Sequence, residues 1–172
     1  KKTTLIIIPI RDQKIEKRNY LKKIKNKPII FHTIDECLKI KRNTSVLLTT
    51  SDTKIIKASK QKYKKNIIYS LRNDEDTSLN ENVRDGIIKI LKKVKFKPDI
   101  LVILSAEYPY KKYFYIEQAI SKLLLHDFDK IISTTFDTKN NYYQYSNKGI
   151  KLISNEKDGA MKYEKKVILA RP

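Results

Sequence analysis

The sequence is poor in the residues that most often announce a chemistry. It has three glycines, one cysteine, two histidines, five prolines and no tryptophan in 172 residues. Neither G-x-x-x-x-G-K-[ST] nor G-x-G-x-x-G occurs, which excludes the P-loop and dinucleotide-fingerprint routes to a nucleotide. With so little glycine, an anion must be held by side chains rather than by a wrapping backbone. The single cysteine, Cys37, excludes an internal disulfide and suits the cytoplasm; on its helical pattern it reads as a small buried apolar residue. His32 and His126 lie far apart on helical patterns, which points away from a zinc site or a Ser-His-Asp triad. No apolar run approaches the ~20 residues that cross a bilayer. Leu5–Ile10 is too short, and too soon broken by Pro9 and Arg11, for a signal peptide.

What the chain has is positive charge. Lys and Arg number 38 against 19 Asp and Glu, a formal net charge of +19. That balance invites a nucleic-acid reading. Only six of the cations are arginine, however, and the lysines are spread along the whole chain, whereas base readers favour arginine for bidentate contacts. Small anionic ligands account for the charge more simply, and nucleic acid is kept as the weakest alternative. A length of 172 with 40% hydrophobic residues fits one domain, 1–172, with a real core.

Apolar runs alternate with helical patterns. Leu5–Ile8, Ser45–Thr49, Asn66–Ser70, Asp99–Leu104 and Lys130–Thr134 read as strands. Pro28–Lys39 reads as a helix. Asp52 is placed to cap a helix bearing Ile55, Ile56, Ser59 and Tyr63. Ser78 with Glu81 forms a capping box before a stripe of Leu79, Val83, Ile87, Ile90, Leu91 and Val94. Ile116, Ala119, Ile120, Leu123 and Leu124 mark a further helix. Tyr142–Tyr145 and Ile150–Ile153 flank a turn at Asn147–Gly149, and Ile168-Leu169 begins another extended segment. The order predicts an α/β three-layer sandwich with a mostly parallel, doubly wound sheet. Ligands in such folds sit beyond the carboxyl ends of the strands, which directs attention to Arg11–Tyr20, Thr50–Thr53, Leu71–Ser78, Ser105–Lys111 and the segment after Thr134. Between Arg11 and Lys27, 8 of 17 residues are Lys or Arg.

The stretch IIPIRDQKIEKRNYLKKIKNKPIIFHTI resembles the opening of the cytidylyltransferases that make CMP-activated sugar acids, the CMP-N-acetylneuraminate synthetase family. Those enzymes begin with a strand, then A-R-x-x-S-K-x-x-x-x-K-N, then G-K-P-L-I and a helix. LLTTSDTKIIKAS resembles the family's V-S-T-D-x-x-x-I-A, and LRNDEDTSLNENV its R-P…D-T-A-S-S-x-x-x-V. DILVILSAEYPYKKYFYIEQAI resembles D-x-x-x-x-L-Q-P-T-S-P-L-R…I-x-x-A-I. The resemblance implies a nucleotide-diphospho-sugar transferase-like fold. It implies transfer of CMP from CTP to a nonulosonate-type sugar acid with release of pyrophosphate, assisted by Mg²⁺. It also implies a possible homodimer, since the family commonly dimerises through late segments that this chain lacks or has truncated.

Carried over by position, Arg11 and Lys14 would face the triphosphate as the catalytic cations. Asn19 or Tyr20 would stand at the Lys-Asn pair of the loop. Arg72 would be the arginine on the nucleotide side, Asn80 would fall on the second serine of D-T-A-S-S, and Ser105 would occupy the place of the glutamine. Asp12, Gln13 and Ile15 replace the small residues of the loop, and Q-P-T-S-P is here Ser105-Ala106-Glu107-Tyr108-Pro109. Those departures support a second reading, a catalytically degenerate relative acting as a binding or assembly module. Asp52, Asp74 and Asp76 are candidate Mg²⁺ ligands, with Asp52 equally a helix cap.

Overall fold

The computed structural model describes residues 2–10, 18–72, 83–94, 97–137, 142–146, 149–154, 160–162 and 167–170. In chain order the elements are strand β1 (Thr4–Pro9), a two-residue ribbon β2 (Lys23–Ile24) and β3 (Lys27–Pro28), helix α1 (Ile29–Leu38), β4 (Thr44–Thr50), α2 (Thr53–Tyr63), β5 (Ile68–Leu71) and α3 (Val83–Val94). They continue with β6 (Ile100–Leu104), α4 (Tyr113–Leu125), β7 (Lys130–Ile132), β8 (Thr135–Asp137), β9 (Tyr142–Ser146), β10 (Gly149–Ser154), β11 (Ala160–Lys162) and β12 (Val167–Ala170).

The uninterrupted apolar run of β1 requires burial on both faces, and Thr4 to Ile8 are all buried. The strand lies near the middle of a six-stranded sheet of order β5-β4-β1-β6-β12-β7. Its neighbours β4 and β6 are parallel to it, with Thr4 beside Thr44 and Ile100, and β5 is parallel to β4. Alternation then divides the side chains. Ile6, Ile8, Val46, Leu48, Val102 and Leu104 pack with α1, α2 and α4. On the other face Leu5, Ile7, Leu47 and Leu101 pack with Ile87 and Ile90 of α3. Helices on both faces of a mostly parallel sheet make the three layers that the sequence predicts.

Local chemistry sets the helix limits. The α1 segment follows Pro28, whose fixed φ of −51° suits a helix entrance. The Asp52 carboxylate accepts from the Lys54 and Ile55 amides at 2.8 and 3.3 Å, so α2 starts where the cap was expected. Its buried residues are Ile55, Ile56, Ser59 and Tyr63. The Cys37 thiol is 1% exposed and burial pushes its pKa up to about 12, so it packs as a small hydrophobe.

Three features depart from the sequence reading. Val167–Ala170, read only as the start of an extended segment, is a full strand inserted antiparallel between β6 and β7. The stretch read as one strand at Lys130–Thr134 ends at Ile132; after it, Thr135–Asp137 pairs with Ala160–Lys162 in a separate ribbon. The latter half of the basic loop is structured as the β2–β3 hairpin. Its tip places Lys25 and Asn26 at φ 50° and 62°, without glycine. The β9–β10 pair forms as expected, with Gly149 opposite Ser146, while Asn147 and the Ser78/Glu81 capping box lie outside the described residues.

Helix α1 is tied to its neighbours through Asp35. Its carboxylate accepts from Tyr63 Oη at 2.6 Å, Lys27 Nζ at 2.6 Å and Lys62 Nζ at 3.3 Å. Partial burial alone would raise this carboxyl. The hydrogen bonds from Lys27 and Tyr63 and the charge of Lys62 outweigh burial and hold it below its ordinary 3.8. A depressed carboxyl gives stability that is complete above that ordinary value and is lost as pH falls through the folded-state value. Asp35→Asn should therefore lose about 1–2 kcal/mol at pH 7, allowing for the partial exposure of the group, and should unfold over a shallower acid limb. Urea titrations at pH 7 and pH 3 measure both; parent-like stability at pH 7 would show that the network does not hold the helices together.

Candidate functional site

From β1 the chain winds outward through β4 to β5, then returns to the other side of β1 for β6. The reversal leaves a crevice at the carboxyl ends of β1 and β6, where open α/β sheets bind ligands. Ile10, Ser51–Asp52, Arg72 and Ser105–Lys111 follow β1, β4, β5 and β6 at that end, and the pairing of Arg18 with Glu107 brings Asn19 there.

The geometry there is a set of tethered cations. Ile10 donates its N–H to the Thr49 carbonyl at 2.9 Å, continuing the sheet one residue past β1. The Ile10 carbonyl accepts from Arg72 Nη2 at 2.6 Å, while the Arg72 amide donates to the Thr50 carbonyl at 3.0 Å. Across the crevice Arg18 Nη1 lies 2.5 Å from Glu107 Oε1, joining the segment after β1 to the loop after β6. Lys111 Nζ donates to the Ser105 carbonyl at 2.6 Å and lies over the Tyr108 ring. Among the described residues the buried hydroxyls of Thr49, Ser51 and Ser70 have no hydrogen-bond partner. Thr49 and Ser70 are side by side in the β4–β5 register, so polar valence is left over beside Arg72.

Of the residues singled out from the sequence, Arg72 and Ser105 are brought to the crevice. Asn19 is at its margin, where its Oδ1 accepts from the Leu21 amide at 2.9 Å in a local turn. Tyr20 is 4% exposed in the core cluster, and its carbonyl accepts from the Ile30 amide. The polar position of the pair is therefore Asn19. Ser105 Oγ accepts from the Glu107 amide at 3.2 Å. Arg11, Lys14 and Asn80 lie outside the described residues, as do Asp74 and Asp76. Sequence reasoning missed Arg18, which stands directly before Asn19 and so completes a basic-Asn pair, and it missed Glu107 as its partner.

Among the described residues no group of three or more His, Cys, Asp or Glu converges as a metal site. Asp52 is engaged as a helix cap. The described residues alone do not fit a resident Mg²⁺. None of the described helices is long and apolar enough to cross a membrane.

No family model matches the chain, and no curated protein matches it in sequence. Solved structures do match it in shape. A 4-diphosphocytidyl-2C-methyl-D-erythritol synthase from Anaerococcus prevotii superposes with a TM-score of 0.74 at 15% identity, covering 99% of this chain and 70% of that one. The fold is that of the cytidylyltransferases. A second 4-diphosphocytidyl-2C-methyl-D-erythritol synthase gives a TM-score of 0.72 at 14% identity, over 99% and 76% of the two chains. CMP:2-keto-3-deoxy-manno-octonic acid synthetase complexed with CTP gives 0.66 at 14% identity, over 98% and 74%. A cytidylyltransferase fold at such low identity leaves chemistry to be argued from the side chains.

If Arg18 and Glu107 flank an anion site, their charges act on it with opposite sign. Arg18→Gln should weaken tripolyphosphate binding, and Glu107→Gln should strengthen it, each by about two- to fivefold at low salt. Titration calorimetry reads both; identical affinities for the two variants and the parent would remove the pair from the site.

Proposed function

We propose that this chain is a nucleotidyltransferase that moves CMP from CTP to a hydroxyl of a sugar acid and releases pyrophosphate. The observation that supports it best is the convergence of Arg18, Arg72 and Lys111 at the switch-point crevice of a cytidylyltransferase fold, one neighbour of which is complexed with CTP. In this reading the triphosphate lies against the basic loop, with Arg11, Lys14 and Arg18 on its oxygens. The nucleoside end lies towards Arg72 and Asn80, near the unpartnered Thr49 and Ser70 hydroxyls. The acceptor oxygen bonds to the α-phosphorus as the bond to the bridging oxygen breaks. Cations offset the charge that grows on the departing pyrophosphate. CTP enters as its magnesium complex.

In this reading the acceptor takes a place beside it. A cleft of about 550 Å³ lies between α4 and the end of β7, lined by Lys111, Lys112, Lys122, Tyr115, Gln118 and Ser133 among others. Three lysines complement a carboxylate, and the hydroxyl and amide groups complement a polyol. Lys111 borders both the cleft and the crevice, so donor and acceptor would meet there.

A second reading, a relative that binds without catalysing, is favoured by one observation. Ser105 stands where the family pattern has glutamine, and its hydroxyl is already engaged by the Glu107 amide.

CTP with Mg²⁺ should raise the melting temperature, and adding 2-keto-3-deoxy-manno-octonic acid or N-acetylneuraminate should release pyrophosphate. Arg11→Ala and Arg72→Ala should each weaken CTP binding about tenfold while keeping the parent circular dichroism spectrum. A CTP-dependent shift without pyrophosphate from either acid would establish the binding module. No shift at millimolar CTP would sink both readings.

A further inference from the structure

A second basic cleft lies at the opposite end of the sheet, where β1, β4 and β6 begin. It has a volume of about 460 Å³ and is lined by Lys2, Lys41, Arg42, Asn43, Ile120 and Leu124 among others. Its floor is apolar, with Ile100 and Ile120 buried in the core. Its rim is cationic. Arg42 is one of only six arginines in a chain of 38 cations. Its Nη2 donates to Ser121 Oγ at 2.5 Å, which lays the guanidinium against α4 with most of its N–H donors left over. Among the described residues no carboxylate pairs with Lys41 or Arg42. Asp99, which directly precedes Ile100 of the cleft, is committed to the Thr3 amide and hydroxyl at 2.6 and 2.9 Å, with Lys2 also adding to its stabilisation.

We propose that this cleft binds a small organic phosphate: the phosphoryl oxygens on Lys41 and Arg42, the organic part on Ile120 and Leu124. A cationic rim without acidic partners favours an anion, and a guanidinium fixed by a neutral hydroxyl keeps its full charge and a forked face for phosphate oxygens. The apolar floor distinguishes the ligand from inorganic phosphate, because only an organic part can cover it. The cleft is independent of the crevice at the carboxyl ends, and the inference does not depend on the activity proposed there.

The test uses phenyl phosphate, inorganic phosphate and phenol as probes, followed by amide chemical shifts of the labelled full chain. Phenyl phosphate should give saturable shifts at Lys41–Asn43 and Ile120–Leu124, tighter than inorganic phosphate and weakening with salt, and phenol should give none. Lys41→Gln, an exposed change that keeps the Arg42–Ser121 contact, should weaken phenyl phosphate about two- to fivefold. The double variant K41Q/R42Q should weaken it tenfold or more, and Arg72→Ala should leave it unchanged. Shifts confined to Ser105–Lys111, parent-like binding by K41Q/R42Q, or phenol binding as well as phenyl phosphate would each overturn the proposal.

Discussion

The carboxyl end of β1 is fixed by one long-range contact, the Arg72 guanidinium on the Ile10 carbonyl at 2.6 Å, across 62 residues of sequence. Ile10 is the last residue of the central strand's path before the basic loop. Its own N–H is committed to Thr49. Arg72 is in turn held through its amide to Thr50, so β1, β4 and the segment after β5 are locked at one point. A charged donor makes a stronger bond to a carbonyl than a neutral one does. The point where the chain leaves the sheet follows from that bond. Arg72 is both the brace of the site and part of its charge.

Acids are scarce in this chain, 19 against 38 bases, and those of the described core sit at joints. Asp35 joins α1 to α2 and to the hairpin through Tyr63, Lys62 and Lys27. The next residue, Glu36, accepts through Oε2 from the Tyr113 amide, capping α4 from a different helix. Partial burial would raise Glu36; the Lys39 hydrogen bond, the Tyr113 amide and the nearby lysine charges hold it lower. His32 Nε2, 3.0 Å from the Ile24 carbonyl, fastens the hairpin to the same helix. The tip residue Lys25 lies over Tyr110, whose ring faces His32. Helix α1 thus couples the segment after the basic loop to the loop after β6, and the two sides of the crevice share one rigid support.

How much of this the sequence discloses depends on how local the cause is. Helix α2 is legible because its cap, Asp52, and its stripe of Ile55, Ile56, Ser59 and Tyr63 are neighbours in sequence. The buried strands are legible from their apolar runs, since double-faced burial needs nothing else. The direction of β12 is not, because an apolar alternation says which side is buried and nothing about which way the strand runs. The β2–β3 turn is hidden because left-handed pairs are usually announced by glycine, and here Lys25 and Asn26 take those angles. At the site, resemblance in sequence picks out Arg72, while the Arg18–Glu107 pair needs the fold to bring two loops together. The choice between Asn19 and Tyr20 is likewise a matter of burial, which no motif spacing carries.

The lack of glycine has a cost that the crevice offsets. A glycine-rich loop presents backbone amides that are fixed before an anion arrives. Lysine and arginine side chains must instead lose about 2 kcal/mol of rotamer freedom each when they close on one. Here each described cation of the crevice already has an anchor: Arg18 on Glu107, Arg72 on the Ile10 carbonyl, Lys111 on the Ser105 carbonyl. The anchors are oxygens of the protein itself, a carboxylate for Arg18 and backbone carbonyls for Arg72 and Lys111. A phosphate entering the crevice would meet cations already confined, so part of the ordering is complete in the folded chain. That is how a fold with three glycines can still present a preorganised positive site.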